Sequence, residues 1–339
     1  MKHVNVALFA VHGGCPHMCS FCNQKSISGS EGNLKKEDID SAVHTALRNS
    51  PEGFGNSGEI AFFGGSFTLM NREYMVSLLE SAYFYVREGL FKGIRISTRP
   101  DGIDPEICSL LKTYGVTAVE LGAQSLDNRV LAANNRGHSA ESVVTATLTL
   151  KESGFETGLQ MMTGLYLSED EDSIETAEKI IALKPDTVRI YPTVVLEGTE
   201  LDRLMKAGLF IPKGVEESAA LCAKLIPMFE NSGIKVIRVG LHSGGGVEGK
   251  MTGGAYHPAF RELCDAKIYL EKAMSLFKDM PRGSYEISVA RGEKSKMTGQ
   301  KRQNIVYLQS LGYICRVSED EGTVKYDIKI RKCDDIKRT

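Results

Sequence analysis

Gly13-Gly14-Cys15-Pro16-His17-Met18-Cys19-Ser20-Phe21-Cys22-Asn23-Gln24 holds three of the chain's eight cysteines. Three residues separate the first pair, two the second, and no fourth cysteine follows. Thiolates so close in a Gly/Pro/Ser/Asn loop can converge on one iron–sulfur cube, each ligating one iron. Three ligands leave one iron open, as catalytic zinc keeps one position free. Other readings stand beside this one. Structural zinc would need His12 or His17 as a fourth ligand, and the paired-knuckle pattern is missing. A disulfide is out of place in so short a loop of a chain without a secretion signal. Buried, inert thiols are the third possibility. Cys108, Cys222, Cys264, Cys315 and Cys333 lack metal-site spacing and read as thiols of a reduced, cytoplasmic protein.

Around this loop the chain alternates short apolar strands with amphipathic helices. Val4–Val11 reads as a buried strand, too short to span a membrane. Further strands are expected at Glu59–Phe63, Gly93–Thr98, Ala118–Ser125, Glu156–Leu165, Thr187–Leu196 and Ile234–Leu241, with helices at Arg72–Glu88, Ser139–Ser153, Asp170–Leu183 and Glu216–Asn231. Pro227 should kink or divide the last of these. Short connections between alternating elements are the pattern of parallel βαβ units. The expected fold is α/β, a partial (β/α)6 barrel of the TIM type over 1–242 with a small α+β extension over 243–339 covering the barrel mouth. In such barrels reactive groups gather at the carboxyl ends of the strands.

The 339 residues are 42% apolar and 25% charged, which excludes disordered and fibrous classes. The net charge of −2 argues against a surface that binds polyanions throughout, yet residues 281–339 carry 13 Lys/Arg against 8 Asp/Glu. Lys294, Lys296, Lys301 and Arg302 could touch phosphate, though a solvated face is the commoner meaning of such a group.

At its cysteines the chain resembles the radical S-adenosylmethionine superfamily, whose signature is Cys-x-x-x-Cys-x-x-Cys after the first barrel strand. The resemblance implies that Cys15, Cys19 and Cys22 hold a [4Fe–4S] cluster whose fourth iron chelates S-adenosylmethionine, and that an electron from the cluster releases a 5′-deoxyadenosyl radical. Phe21 matches the usual aromatic beside the last ligand. Gly64-Gly65-Ser66-Phe67-Thr68, Ser97-Thr98-Arg99-Pro100-Asp101, Gly122-Ala123-Gln124-Ser125, Asn134-Asn135-Arg136-Gly137-His138 and Arg189-Ile190-Tyr191-Pro192-Thr193 resemble the branch that includes the elongator catalytic subunit. By that resemblance Gly64, Gly65, Ser66, Ser97, Gln124, Arg136, Val195 and Leu196 bind the cofactor, Arg136 by holding the cofactor's carboxylate; Gln160 is carried over from a more distant family it resembles, oxygen-independent coproporphyrinogen oxidase, which has an aspartate at that position. Bland meanings remain open: a turn for the glycines, a solvated Arg136, a surface ion pair for Arg99 and Asp101.

The segment Gly253-Gly254-Ala255-Tyr256-His257-Pro258-Ala259-Phe260 also matches the branch. Arg99, Tyr191, His242, Tyr256 and His257 are the candidate substrate contacts; a histidine before proline is more often structural. Beyond it, Thr298 is expected to cap a helix, and Tyr313–Val317 with Thr323–Ile330 to form a hairpin. No Gly-rich acetyl-coenzyme A loop opens a helix, so acetyl transfer is not expected. The chain also looks like queuine lyase, which implies hydrogen abstraction from a small-molecule substrate, a modified nucleobase. A tRNA wobble-base modification enzyme and a non-catalytic iron–sulfur sensor are the alternatives. A flavodoxin or ferredoxin is the implied electron donor, and no membrane partner is expected.

Overall fold

The expected strands carry Val, Ile, Leu, Met or Phe at alternate or adjacent positions, the residues that pack on a pleated surface. The computed structural model describes residues 4–10, 15–16, 18–23, 33–48, 50, 52–241 and 248–333. In it β1 (Val4–Phe9), β2 (Gly55–Phe63), β3 (Phe91–Thr98), β4 (Val116–Gln124), β5 (Glu156–Thr163) and β6 (Thr187–Pro192) lie side by side, all parallel. The chain then forms β7 (Val194–Leu196) outside this sheet and returns through β8 (Lys235–Val239), parallel to β6. The edges β1 and β8 do not pair among the described residues, so the barrel is partial.

The helices between the strands are α1 (Lys36–Leu47), α2 (Arg72–Arg87), α3 (Pro105–Thr113), α4 (Asn128–Ala133), α5 (Ala140–Glu152), α6 (Asp170–Leu183), α7 (Glu200–Lys206) and α8 (Val215–Asn231). Several of them start on side-chain caps: Asn71 accepts from Tyr74 N, Asp104 from Ile107 N, Ser139 from Ser142 N. α2 buries Met75, Leu78, Leu79, Ala82 and Tyr85, with each large apolar side chain contributing roughly 1.5–3 kcal/mol. No described helix is long and apolar enough to cross a membrane.

The chain divides into two compact units. One comprises Met1–Gly214 and Met228–Tyr256, the other Val215–Pro227 and His257–Thr339. A single cut at 242 does not describe this division. β9 (Met251–Gly254) pairs antiparallel with β7 and keeps the chain to Tyr256 in the first unit, and the division crosses α8 after Pro227. The strand expected over Thr187–Leu196 is likewise two strands. At Thr193 both the backbone N–H and the hydroxyl donate to Thr163 O, at 2.9 and 2.8 Å, and turn the chain out of the barrel sheet.

In the second unit α9 (Phe260–Phe277), α10 (Lys294–Thr298) and α11 (Gln303–Ser310) accompany β10 (Gly283–Val289), β11 (Tyr313–Glu319) and β12 (Ile328–Lys332). The expected hairpin does not form: β10 lies between β11, which is parallel to it, and β12, which is antiparallel. Tyr285, Ile287 and Val289 of β10 are fully buried in this unit's core, so the most deeply buried strand takes the centre. Thr298 ends α10 instead of capping a helix, and its hydroxyl donates to Lys294 O.

Candidate functional site

The cysteine loop is fastened to the carboxyl ends of the barrel strands by a residue inside the motif. Ser20 is fully buried; its hydroxyl donates to Asn134 Oδ1 at 2.8 Å and its N–H to Asn134 O at 3.1 Å. The Asn134 amide donates in turn to Val130 O and Tyr166 O at 2.8 and 2.9 Å. Ser20 O accepts from Leu201 N at 2.9 Å, and Asn23 reaches Glu197 O at 3.4 Å. Between these anchors Cys22 N donates to Cys19 O, folding the loop back on itself.

Cys19 is buried, Cys15, Phe21 and Cys22 half-buried, and none of the eight cysteines is in a disulfide. Cys15 Sγ lies 3.5 Å from the hydroxyl of buried Ser66. Gly64 and Gly65, with φ of +78° and +61°, hold the chain in the left-handed region just after β2, where a side chain would be strained. Arg136 sits two residues past Asn134. Its Nη1 donates to Cys19 Sγ at 3.2 Å and its Nη2 to Gly122 O at 2.5 Å. A Cβ on Gly122 would stand 2.9 Å from both Arg136 Nη2 and Gln124 Nε2, so the bare glycine makes room for the guanidinium and the amide. Arg136 is thus buried, not solvated.

Arg99 and Asp101 form a two-toothed pair at 2.8 Å that reaches from the interior to the surface: Arg99 is 2% exposed, whereas Asp101 is exposed. Burial works to lower the Arg99 pKa, but Asp101 and, further off, Cys19 and Cys15 raise it. For Asp101 burial works upward, and Arg99 holds the carboxyl below its usual range. His138 is pushed down to about 4, first by burial and then by Arg136 and Arg99.

Beneath these groups the barrel strands carry an ion network. Arg95 donates to Glu59 at 2.7 Å, Glu156 at 2.6 Å and Glu120 at 3.4 Å; Arg189 grips both oxygens of Glu120. Gln160 Nε2 donates to Glu120 Oε2 at 3.1 Å and to Ser97 Oγ at 3.4 Å. Arg189 lies 5.2 Å from the Phe63 ring centre, and burial, which would lower its pKa, is overcome by Tyr191 and Glu120. The motif reading missed Ser20, Asn134, Glu120 and Arg189. The available signal was a charged or polar residue at an inward position of an apolar run, as in Ala118-Val119-Glu120-Leu121.

The remaining candidates fall elsewhere. Val195 and Leu196 are fully buried in β7, where Tyr256 packs beside Leu196 and donates to Glu248 at 2.8 Å. His257 belongs to the second unit, and its Nδ1 accepts from Ala259 N at 3.1 Å at the start of α9. His242 lies outside the described residues.

Gln124 Oε1, Arg136 Nε, Arg99 Nη1 and His138 Nδ1 are buried with no hydrogen-bond partner among the described residues. Orphaned donors and acceptors at one end of a barrel, beside bare glycine backbone and a cationic group on a cysteine sulfur, fit a polar, zwitterionic ligand held against a thiolate-bound metal cluster. No three described Cys, His, Asp or Glu side chains close on a single ion. Three thiolates that each serve a different iron of one cube stand further apart than the ligands of one ion.

The Radical SAM superfamily profile matches residues 10–180, and the Radical_SAM C-terminal domain profile matches 185–272. A tRNA uridine(34) acetyltransferase of Methanocaldococcus infernus is 42% identical over 127 residues, which are 36% of this chain and 24% of that protein. Human Elongator complex protein 3 is 30% identical over 190 residues, 50% of this chain and 35% of its own length. The chain therefore spans about a third or less of these curated relatives. The solved structure of the archaeal Methanocaldococcus infernus Elp3 superposes with a TM-score of 0.64 at 22% identity, over 84% of this chain and 66% of that one. Streptococcus suis SuiB bound to S-adenosylmethionine superposes with a TM-score of 0.51 at 15% identity, over 70% of this chain and 50% of that one.

Proposed function

The chain belongs to the radical S-adenosylmethionine superfamily, and from that premise we propose that its substrate is the wobble base of a transfer RNA. It is an enzyme whose cofactors are a [4Fe–4S] cluster and S-adenosylmethionine. When bound, these supply a 5′-deoxyadenosyl radical able to take a hydrogen atom from carbon.

In this reading Cys15, Cys19 and Cys22 hold the cluster, and Ser20 and Asn134 hold their loop in place. Gly64 and Gly65 offer backbone to the amino end of the cofactor. Gln124 supplies an orphaned carbonyl oxygen for a ribose hydroxyl. Arg136 donates to Cys19 Sγ and offers its orphaned Nε to a carboxylate. Gln160, which donates to both Glu120 and Ser97, lines the barrel with Ser97. Buried Ser66, Arg99 and His138 keep bulk water from the reacting groups. A flavodoxin- or ferredoxin-type protein is the fitting source of the electron.

The observation that carries the substrate is the 42% identity to a protein named for tRNA uridine 34, supported by the basic excess over residues 281–339. A free modified nucleobase, as queuine lyase takes, is the weaker reading, because neither curated relative carries a name that points to a free base. The chemistry is tested anaerobically. Reconstituted protein with dithionite should form 5′-deoxyadenosine and Cys19→Ala should not; equal behaviour rejects the cluster assignment. For the substrate, addition of tRNA should raise turnover and salt should weaken tRNA binding steeply, whereas indifference to tRNA rejects the wobble-base reading.

A further inference from the structure

From Lys294 to Ser318 the chain has five basic residues and no acidic one. The tightest part of this run is the turn between α10 and α11, where Gly299 has φ of +76° and Lys301 and Arg302 follow with φ of +48° and +63°. Two consecutive non-glycine residues in the left-handed region are disfavoured and persist only where their surroundings impose them. Here the surroundings do. Met297 on one side and Asn304, Ile305 and Leu308 on the other are buried, and the Asn304 amide donates to Ala266 O at 2.8 Å and Met297 O at 3.1 Å. A Cβ at Gly299 would strike Gln303 at 2.8 Å. The ends of the turn are therefore nailed to the core while Lys301 and Arg302 are exposed.

These cations are not spent on internal partners. Lys296 is taken by Glu293, but Lys294, Lys301 and Arg302 make no ion pair among the described residues. One turn into α11, Tyr307 is 47% exposed and Val306 60% exposed. Cations held on a stiff turn beside an exposed aromatic ring match a polyanion that also offers unpaired bases, since phosphates take the cations and a base stacks on the ring. A lipid surface would call for a broad apolar face, which two side chains do not provide.

Resting on the wobble-base reading above, we infer that the turn Gly299–Arg302, with Lys294 and Tyr307, is an RNA-docking surface: Lys301 and Arg302 contact the phosphate backbone of the tRNA anticodon arm and Tyr307 stacks on an unpaired base. The test is fluorescence anisotropy with an anticodon stem–loop RNA over a series of salt concentrations. Charge reversal in Lys301→Glu/Arg302→Glu should weaken binding about tenfold or more and cut the slope of log affinity against log salt by about two. Lys301→Gly/Arg302→Gly should lose affinity similarly yet melt no lower than the wild type, because glycine adopts this backbone without strain. Tyr307→Ala should weaken the stem–loop but not a blunt duplex. Cleavage of S-adenosylmethionine without RNA should be unchanged in all three.

If the wild type binds the stem–loop and both double variants bind it equally well with the same salt slope, this surface is wrong while the substrate reading stands. If the wild type binds no RNA, both fall. If poly-glutamate displaces the RNA at equal charge, the turn is a general anion surface and the assignment to RNA is overturned.

Discussion

Replacing Asn134 by Ala removes the side chain that fastens the cysteine loop while leaving the backbone bond between Ser20 N and Asn134 O available. Three buried hydrogen bonds go: from Ser20 Oγ, and to Val130 O and Tyr166 O, all at 2.8–2.9 Å. At about 1 kcal/mol net for each, the loss is about 3 kcal/mol, and a stranded Ser20 hydroxyl adds to it. For a unit of this size that corresponds to a fall in Tm of roughly 6–12 °C. Ser20→Ala removes one of the three bonds and should cost about 1 kcal/mol. The thermal melt is read on cluster-free protein by circular dichroism, since the chain has no tryptophan. Iron per chain is then measured after anaerobic reconstitution. Asn134→Ala should retain clearly less iron than the wild type, because the loop bearing Cys19 has lost its fixed position. An Asn134→Ala protein that melts with the wild type and takes up its full iron would refute the view that this pair sets the loop.

Glu120→Gln should destabilise the barrel by roughly 3–5 kcal/mol, since it takes the carboxylate from half-buried Arg189 and one of three carboxylates from buried Arg95, and adding Arg189→Met should restore part of the loss; the denaturant midpoint reports both. Gly122→Ala places a methyl group 2.9 Å from Arg136 Nη2 and Gln124 Nε2, so S-adenosylmethionine affinity of the reconstituted enzyme should drop by about tenfold or more in anaerobic calorimetry, against a small change in melting temperature. His138 titrates near 6.5 in the unfolded chain and near 4 in the folded one, so the unfolded state binds the extra proton between those values. Its contribution, on the order of 3 kcal/mol, is present above pH 6.5 and disappears as pH falls toward 4. Urea titrations across that window should show the slope, and His138→Gln should flatten it.

The elements themselves were legible because their causes are local. Apolar runs with a two-residue or 3.6-residue period, such as Ile60–Phe63 or Met75–Tyr85, state whether a segment is strand or helix. Pro192-Thr193 does not announce that the chain leaves the sheet there, because that depends on Thr163 standing within hydrogen-bond reach in a neighbouring strand. The three-stranded order β11-β10-β12 was missed for a similar reason. Adjacency along the chain favours a hairpin, yet the buried row of Tyr285, Ile287 and Val289 wins the central place.

The alternation of strands and helices pointed to the α/β barrel class, and the resemblance carried by Cys15, Cys19 and Cys22 and the strand-end motifs implied the kind of cofactor and which loop would bear the thiols. Only the tertiary structure decided what holds that loop and what charge faces it. Ser20 and Asn134 lie 114 positions apart, and Glu120 and Arg189 lie 69 apart. Strand register and helix packing bring such pairs within 3 Å of each other, and no local pattern in the sequence encodes those distances.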